Sequence, residues 1–310
     1  MISSVIVTPY FEDLACEKFC ADLDAVFDGS MRLVIIDDGS VDRILTAQAF
    51  ANTGIQGVIV RLKRNLGHQS AIAVGLDYAL QNYDFDKLVI MDSDGEDQPT
   101  DINSLLDILE QNKSDKDIVV ATRKSRQETF RFKIFYSVYQ GFFRMLVGRS
   151  ISFGNFMVMT KKAAARMVAS HETPLHVAAA ALNSKLRILE IPLDRGARYA
   201  GKSKMNLVNL ILHGIRSIMV FSEEVIVRIT LFCFAVALAA LIGLIAMVIM
   251  KVAGATIPGW YSTGSGLLML LLFQIGSMAV LVLLSADGAR SRLSKKHEYE
   301  TVVKEIIPLG

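Results

Sequence analysis

Three cysteines in 310 residues leave little room for disulfide chemistry. Cys16 and Cys20 stand four apart within a helical pattern and Cys233 lies in an apolar run, so neither a disulfide framework nor a zinc spacing is present, as suits a reducing compartment. No Gly-x-Gly-x-x-Gly follows the first apolar run, and no Gly-x4-Gly-Lys-Ser/Thr loop leaves it, which excludes a dinucleotide fold and points to a nucleotide held by carboxylates instead of a glycine cradle. The opening Met1 to Pro9 has no basic segment and no cleavage pattern, so it does not read as a signal peptide and the first domain is expected to stay inside.

Charge is missing altogether from two long runs: Ile229 to Met250 is 22 residues without one, and Gly264 to Ala286 is 23. At ~1.5 Å rise per residue each is long enough to cross a ~30 Å hydrocarbon core, and a buried helix of a soluble protein would seldom run so far without a polar face. The connection from Lys251 to Thr263 carries one charge, whereas Arg290, Arg292, Lys295 and Lys296 follow the second run. The positive-inside rule then predicts an integral protein of the inner (plasma) membrane with the large domain and both termini cytoplasmic. The remaining charge is sorted: residues 1–122 hold 9 Lys/Arg against 21 Asp/Glu, and residues 123–228 hold 18 against 6. An acidic half suits a divalent cation. A basic half beside a membrane suits anionic headgroups or a phosphate-bearing substrate, and nothing points to nucleic acid.

Short apolar runs alternate with helical patterns through the first 122 residues, as in a parallel α/β sheet. The expected strands are Ser4–Thr8, Leu33–Ile36, Gly57–Leu62, Lys87–Met91 and Asp117–Ala121, with Leu14, Phe19, Leu23 and Val26 forming one helical face and Ile72, Leu76 and Leu80 another. From Phe130 to Val147, Phe132, Phe135, Tyr139, Phe142, Phe143 and Leu146 recur at helical spacing among Arg131, Lys133 and Arg144; a core helix and a helix lying on the membrane surface both fit. A second amphipathic stretch, Met205 to Phe221, leads straight into the first uncharged run.

Ligands of open α/β sheets bind beyond the carboxyl ends of the strands, and acids collect there: Glu12 and Asp13 after strand one, Asp37-Asp38-Gly39-Ser40 after strand two, and Asp92-Ser93-Asp94-Gly95-Glu96-Asp97 after strand four. Asp-x-Asp at a strand end offers hard oxygens to Mg2+ or Mn2+, which take carboxylates together with substrate phosphates. Asp37 to Ser40 by itself also fits a turn followed by a helix N-cap.

These segments resemble family-2 glycosyltransferases of the GT-A fold, and within them the polyprenyl-phosphate and dolichyl-phosphate hexose synthases, over residues 1 to about 228. Asp37-Asp38-Gly39-Ser40-Val41-Asp42 is similar to the family's donor motif, Arg64-Asn65-Leu66-Gly67-His68-Gln69-Ser70-Ala71 to its Arg-Asn-x-Gly-x-x-x-Ala segment, and Arg198-Tyr199-Ala200-Gly201-Lys202-Ser203-Lys204 to its Arg-x-x-Gly-x-Ser-Lys element. The resemblance implies that Pro9, Tyr10, Glu12, Asp37, Asp38, Asn65 and Ser93 bind the nucleotide sugar and that Asp92, Asp94 and Glu96 hold the metal. It further implies that Arg123, Arg198 and Lys204 join Asp92 and Asp94 in catalysis, while Lys133, Ser137, Lys202 and Ser203 meet the acceptor phosphate. Four departures stand out: Glu12-Asp13 in place of Asn-Glu, Glu96-Asp97-Gln98-Pro99 in place of Gln and acid-Pro-Pro, Ser150 to Phe156 in place of Asp-x-x-Ser-Gly-Phe-Arg, and Glu223-Glu224 where a proline is common.

The expected organisation is a GT-A domain over 1–204 with a mixed, mostly parallel sheet and a basic membrane-facing part from about 123. A juxtamembrane amphipathic helix over 205–228, spans over 229–250 and 264–286, and a cytoplasmic tail over 287–310 follow. The expected reaction is inverting transfer from a nucleotide-diphosphate sugar to polyprenyl phosphate. Transfer to a lipid or glycan hydroxyl, with Asp97 as base, and a non-catalytic nucleotide-binding scaffold are the alternatives. The sugar, the nucleotide and any homo-oligomer stay open.

Overall fold

The computed structural model describes residues 2–11, 16–26, 29–123, 140–199, 207–255, 259–291 and 299–309. They divide into two compact units, one of residues 1–139, 150–220 and 296–310, the other of residues 140–149 and 221–295.

The first unit is built on an eight-stranded sheet: β1 (Ile2–Tyr10), β2 (Met31–Asp37), β3 (Gly57–Leu62), β4 (Phe85–Ile90), β5 (Ile118–Arg123), β6 (Phe153–Thr160), β7 (Ile188–Leu193) and β8 (Val303–Leu309), in the order β7-β5-β6-β4-β1-β2-β3-β8. Pairings β1 with β2 and β4, β2 with β3, and β5 with β7 are parallel; β6 runs antiparallel to β4 and β5, and β8 antiparallel to β3. Helices α1 (Cys16–Asp24), α2 (His68–Asn82), α3 (Asp101–Gln111), α4 (Lys161–Val168), α5 (Val177–Asn183) and α6 (Leu207–Val220) complete it.

Strand periodicity sorts the core onto two faces. Val5 and Val7 of β1, Val34 and Ile36 of β2, and Leu88 and Ile90 of β4 pack under Ile72 and Leu76 of α2, while Ile6, Leu33, Ile35 and Val89 face Phe19 and Leu23 of α1 and Leu105 and Leu109 of α3. All five expected strands are present, displaced by up to two residues at most ends. Three further strands, β6, β7 and β8, complete the sheet.

The tail is the largest correction. Residues 303–309 are not a separate tail; they pair with β3 from Gly57↔Leu309 to Leu62↔Val303. The physical reason is the open edge of β3, whose unpaired N–H and C=O groups need a partner or a cover. The boundary at 204 also moves, since α6 belongs to the first unit. Gly214, Ser217 and Val220 give α6 its buried side, while Val208, Ile211, Leu212, Ile215 and Met219 are exposed.

In the second unit, α7 (Ser222–Val252) and α8 (Trp260–Ser291) are both long and apolar enough to cross a membrane. Phe232 and Phe234 of α7 are 69% and 68% exposed and Phe273 of α8 is 79% exposed, surfaces that hydrocarbon would cover and water would not. Residues 140–147 are helical, with Phe143 and Val147 buried and Phe142 and Met145 exposed; residues 130–139 of the expected aromatic helix lie outside the described residues.

Candidate active site

The carboxyl ends of β1, β2 and β4 present two acidic loops. In the first, Asp37 ends β2, Asp38 follows it, and both are buried. Asp37 Oδ1 accepts from the Ser40 amide at 3.0 Å and its Oδ2 from Arg61 Nε at 3.0 Å. Asp38 Oδ1 accepts from the Leu66 amide at 2.7 Å and Oδ2 from the Gly67 amide at 2.9 Å, so this carboxylate secures the chain entering α2. Gly39 makes the turn possible: its φ is +72°, and a Cβ there would lie 2.5 Å from the Arg64 carbonyl carbon. The segment is therefore a closed turn and not a helix N-cap. Burial pushes the Asp38 carboxyl up, against the pull of the two amides.

The second loop follows β4. Ser93 Oγ donates to the Pro9 carbonyl at 3.2 Å, the Asp92 amide to Asp97 Oδ2 at 3.0 Å and the Glu96 amide to Asp94 Oδ1 at 3.0 Å. Residues 195–199 lie against it: the Gly196 amide reaches the Glu96 carbonyl at 3.0 Å and the Tyr199 amide the Asp94 carbonyl at 2.9 Å. Arg198 spans Asp94 Oδ2 and Glu96 Oε1, each at 2.9 Å, and Arg195 pairs with Glu96. At Gly95, with φ +87°, a Cβ would sit 2.6 Å from the Tyr199 ring. Residues 196–203 also spell Gly-x4-Gly-Lys-Ser. Among the described residues of this stretch, the amides of Gly196 and Tyr199 are spent on carbonyls of the acidic loop.

Asp92 faces α2. Its Oδ1 lies 3.1 Å from Nε2 of His68, and the same nitrogen lies 3.1 Å from Nδ2 of Asn155 at the start of β6. Gln69 is held in turn, its Oε1 accepting from the Val177 amide at 2.6 Å. Burial opposes a charge on Asp92, but His68, Arg195 and Arg198 outweigh it and the carboxyl is held below its usual range; burial likewise opposes charge on His68, and Asp92 with Asp94 and Asp38 raises its pKa nonetheless.

A divalent cation fits this loop better than the first. Asp92 Oδ1 and Glu96 Oε2 are buried without a hydrogen bond, the first beside His68 and the second beside Arg195. Among the described residues no three His, Cys, Asp or Glu side chains converge as a ready-made set; Asp94 and Glu96 are paired with Arg198 and Arg195 instead.

Of the expected nucleotide residues, Pro9, Tyr10, Asp37, Asp38 and Ser93 are all buried, Tyr10 donating through its hydroxyl to the Arg43 carbonyl at 2.9 Å, and Asn65 is exposed. Asp92, Asp94, Glu96 and Arg198 are brought together as described above. Glu12, Lys133, Ser137, Lys202, Ser203 and Lys204 lie outside the described residues. So does the side chain of Arg123, whose backbone ends β5. Sequence reasoning missed His68, Arg195 and Arg61. For His68 the signal was its place at the start of α2 within an already quoted motif; for the two arginines there was none, since each finds its acids across the fold.

Residues 4–172 match the model of glycosyl transferase family 2. The uncharacterized glycosyltransferase YkoT of Bacillus subtilis (strain 168) is 27% identical over 263 residues, 83% of this chain and 73% of that protein. The undecaprenyl-phosphate 4-deoxy-4-formamido-L-arabinose transferase of Edwardsiella ictaluri is 26% identical over 215 residues, 67% of this chain and 64% of that protein. Glucosyl-3-phosphoglycerate synthase from Mycobacterium tuberculosis, solved with Mn2+, UDP and glucosyl-3-phosphoglycerate, aligns at a TM-score of 0.50 and 13% identity over 72% of this chain and 79% of its own, a likeness of fold. With a mixed GT-A sheet, acids gathered at its strand ends and a family match over more than half its length, the chain belongs to glycosyl transferase family 2 and is a glycosyltransferase.

Proposed function

We propose that the enzyme transfers a sugar, with inversion, from a nucleotide-diphosphate sugar to the phosphate of a polyprenyl phosphate at the cytoplasmic face of the inner membrane. The observation that carries this reading is the clasp between the Asp92–Asp97 loop and Arg195 and Arg198. Those arginines stand on the segment that leads, through α6, into the first apolar helix.

A phosphate monoester is largely dianionic near neutral pH, its second pKa being about 6, so its oxygen attacks the anomeric carbon without a protein base. The bond from that carbon to the donor diphosphate breaks, and the nucleoside diphosphate leaves. Two anions must then be held close together. A divalent cation, Mg2+ or Mn2+, on Asp92 and Asp94 with Glu96 would neutralise the diphosphate. With an ion on those acids, Arg195 and Arg198 would be available to pair with phosphate oxygens in bidentate fashion. Arg123, Lys133, Ser137, Lys202, Ser203 and Lys204 are assigned to the same phosphates, and the closed turn from Asp37 to Ser40 with Asn65 to the nucleoside. The names of relatives such as the Edwardsiella transferase agree with a lipid-phosphate acceptor.

One observation favours transfer to a hydroxyl: the His68 side chain, 44% exposed beside Asp92, is an imidazole where such an acceptor would need a base. Asp97 serves less well, its Oδ2 being taken by the Asp92 amide. Purified full-length protein offered a panel of nucleotide sugars separates the two. Sugar delivered to polyprenyl phosphate supports our reading, and transfer solely to glycan or glycolipid hydroxyls refutes it.

A further inference from the structure

Arg61 on β3 is a buried guanidinium, its side chain 10% exposed, with three different obligations. Its Nε holds Asp37 Oδ2 at 3.0 Å, its Nη2 the Leu45 carbonyl at 2.6 Å, and its Nη1 the carboxylate of Glu305. Two of these partners flank the turn after β2. The third comes from β8, 244 residues further on, after both apolar helices. The register places Glu305 directly across from Arg61.

The rest of the returning segment grips the same part of the molecule. The Lys63 amide donates to the Val302 carbonyl at 2.9 Å and Lys63 Nζ to the Thr301 carbonyl at 2.9 Å. The Tyr299 amide reaches Asp77 Oδ2 on α2 at 3.3 Å, and Asn82 Nδ2 donates to the Tyr299 hydroxyl at 3.1 Å. Residues 63–67, between β3 and α2, supply the amides of Leu66 and Gly67 that hold Asp38. Both acids of the turn are thus oriented by a segment that the C-terminal return braces. A planar guanidinium fixes direction only when its several N–H groups are all engaged; with Glu305 absent, one side of that plane is released.

We propose that Glu305 is a positioning residue for donor binding: acting through Arg61 it fixes Asp37 and the turn over 38–46, so that the strand following the membrane helices completes the donor side of the site. This rests on the reading of that turn as part of the nucleotide site. Edge covering alone would need only the backbone of β8.

Hydrogen exchange of the full chain in lipid nanodiscs tests it without any ligand, comparing wild type with Glu305→Ala, Glu305→Gln and, as a control on the same strand, Lys304→Ala. A charge-assisted bond of this kind sets the expected change: both Glu305 variants should speed exchange over 38–46 by about tenfold, with 57–62 and 303–309 unchanged, and Lys304→Ala should alter neither. Kinetics with UDP-, GDP- and dTDP-sugars and undecaprenyl phosphate should show Glu305→Ala raising the donor KM, with kcat and the acceptor KM held, and Glu305→Asp recovering part of the loss. Equal acceleration over 38–46, 57–62 and 303–309 would reduce Glu305 to strand docking, and unchanged exchange everywhere would remove the brace. If Asp37→Asn leaves the donor KM unaltered, the nucleotide assignment of the turn falls while the exchange result still decides the brace.

Discussion

The two acidic loops use the same residue type for opposite ends. In the turn after β2 all four carboxylate oxygens of Asp37 and Asp38 have a donor within the fold. In the loop after β4, two buried carboxylate oxygens have none, and the charge is answered by Arg195, Arg198 and His68. The Asp38 carboxyl is pushed up by burial, whereas that of Asp92, only half-buried, is held down by His68, Arg195 and Arg198. Asp38, with both oxygens on backbone amides, is architecture. Acids paired with arginine side chains can exchange them for a metal ion, which is the role proposed for the second loop.

The sharpest break between the loops comes from Asp94→Asn. Taking a charged ligand from the second loop should lower kcat by at least about 100-fold while the thermal midpoint in detergent stays within a few degrees; wild type in excess chelator should behave alike. Asp38→Ala should do the reverse. It strands the Leu66 and Gly67 amides, at a cost of about 2 kcal/mol in stability, seen as a lower unfolding midpoint before any loss of chemistry is considered. Arg198→Ala tests the exchange itself: freeing Asp94 and Glu96 should lower the Mn2+ concentration for half-maximal activity, while the lost phosphate contact cuts turnover about tenfold, in neutral detergent as in membranes.

The smallest effect sets acid sensitivity apart from both loops. His176 is buried, its pKa pushed down to about 3 chiefly by burial and then by His213, whose ring stacks at 4.3 Å; burial lowers His213 too, with His68 and Arg216 adding to it. A folded pKa below the unfolded value of about 6.5 means stability fully present above that pH and lost as pH falls through it toward the folded value, by roughly 1.4 kcal/mol per unit. His176→Asn keeps an acceptor for the Ala179 amide that His176 now caps and should flatten the dependence of the unfolding midpoint between pH about 6.5 and 5.

The parallel half of the sheet was legible in the sequence because its strands are short apolar runs bounded by turn residues. The missing strands lacked that signature for physical reasons. Both β7 and β8 contain a proline, Pro192 and Pro308, which argues against a central strand and is tolerated here because each lies at an edge of the sheet. β8 adds a second difficulty, since its partner is more than two hundred residues away and no local pattern announces it. β6 opens on Phe153-Gly154-Asn155, which reads as a turn. In the site, strand-end position picked out Asp92, Asp94 and Glu96, but their pairing with Arg195 and Arg198 depends on how β7 is placed beside β5, a fact of topology.

The contrast between the loops is tested most directly by Mn2+ binding to the full-length protein, followed by electron paramagnetic resonance with and without nucleoside diphosphate. The account predicts binding that Asp94→Asn abolishes and Asp38→Ala leaves in place. Undiminished Mn2+ binding in Asp94→Asn, or its loss in a folded Asp38→Ala variant, would contradict it.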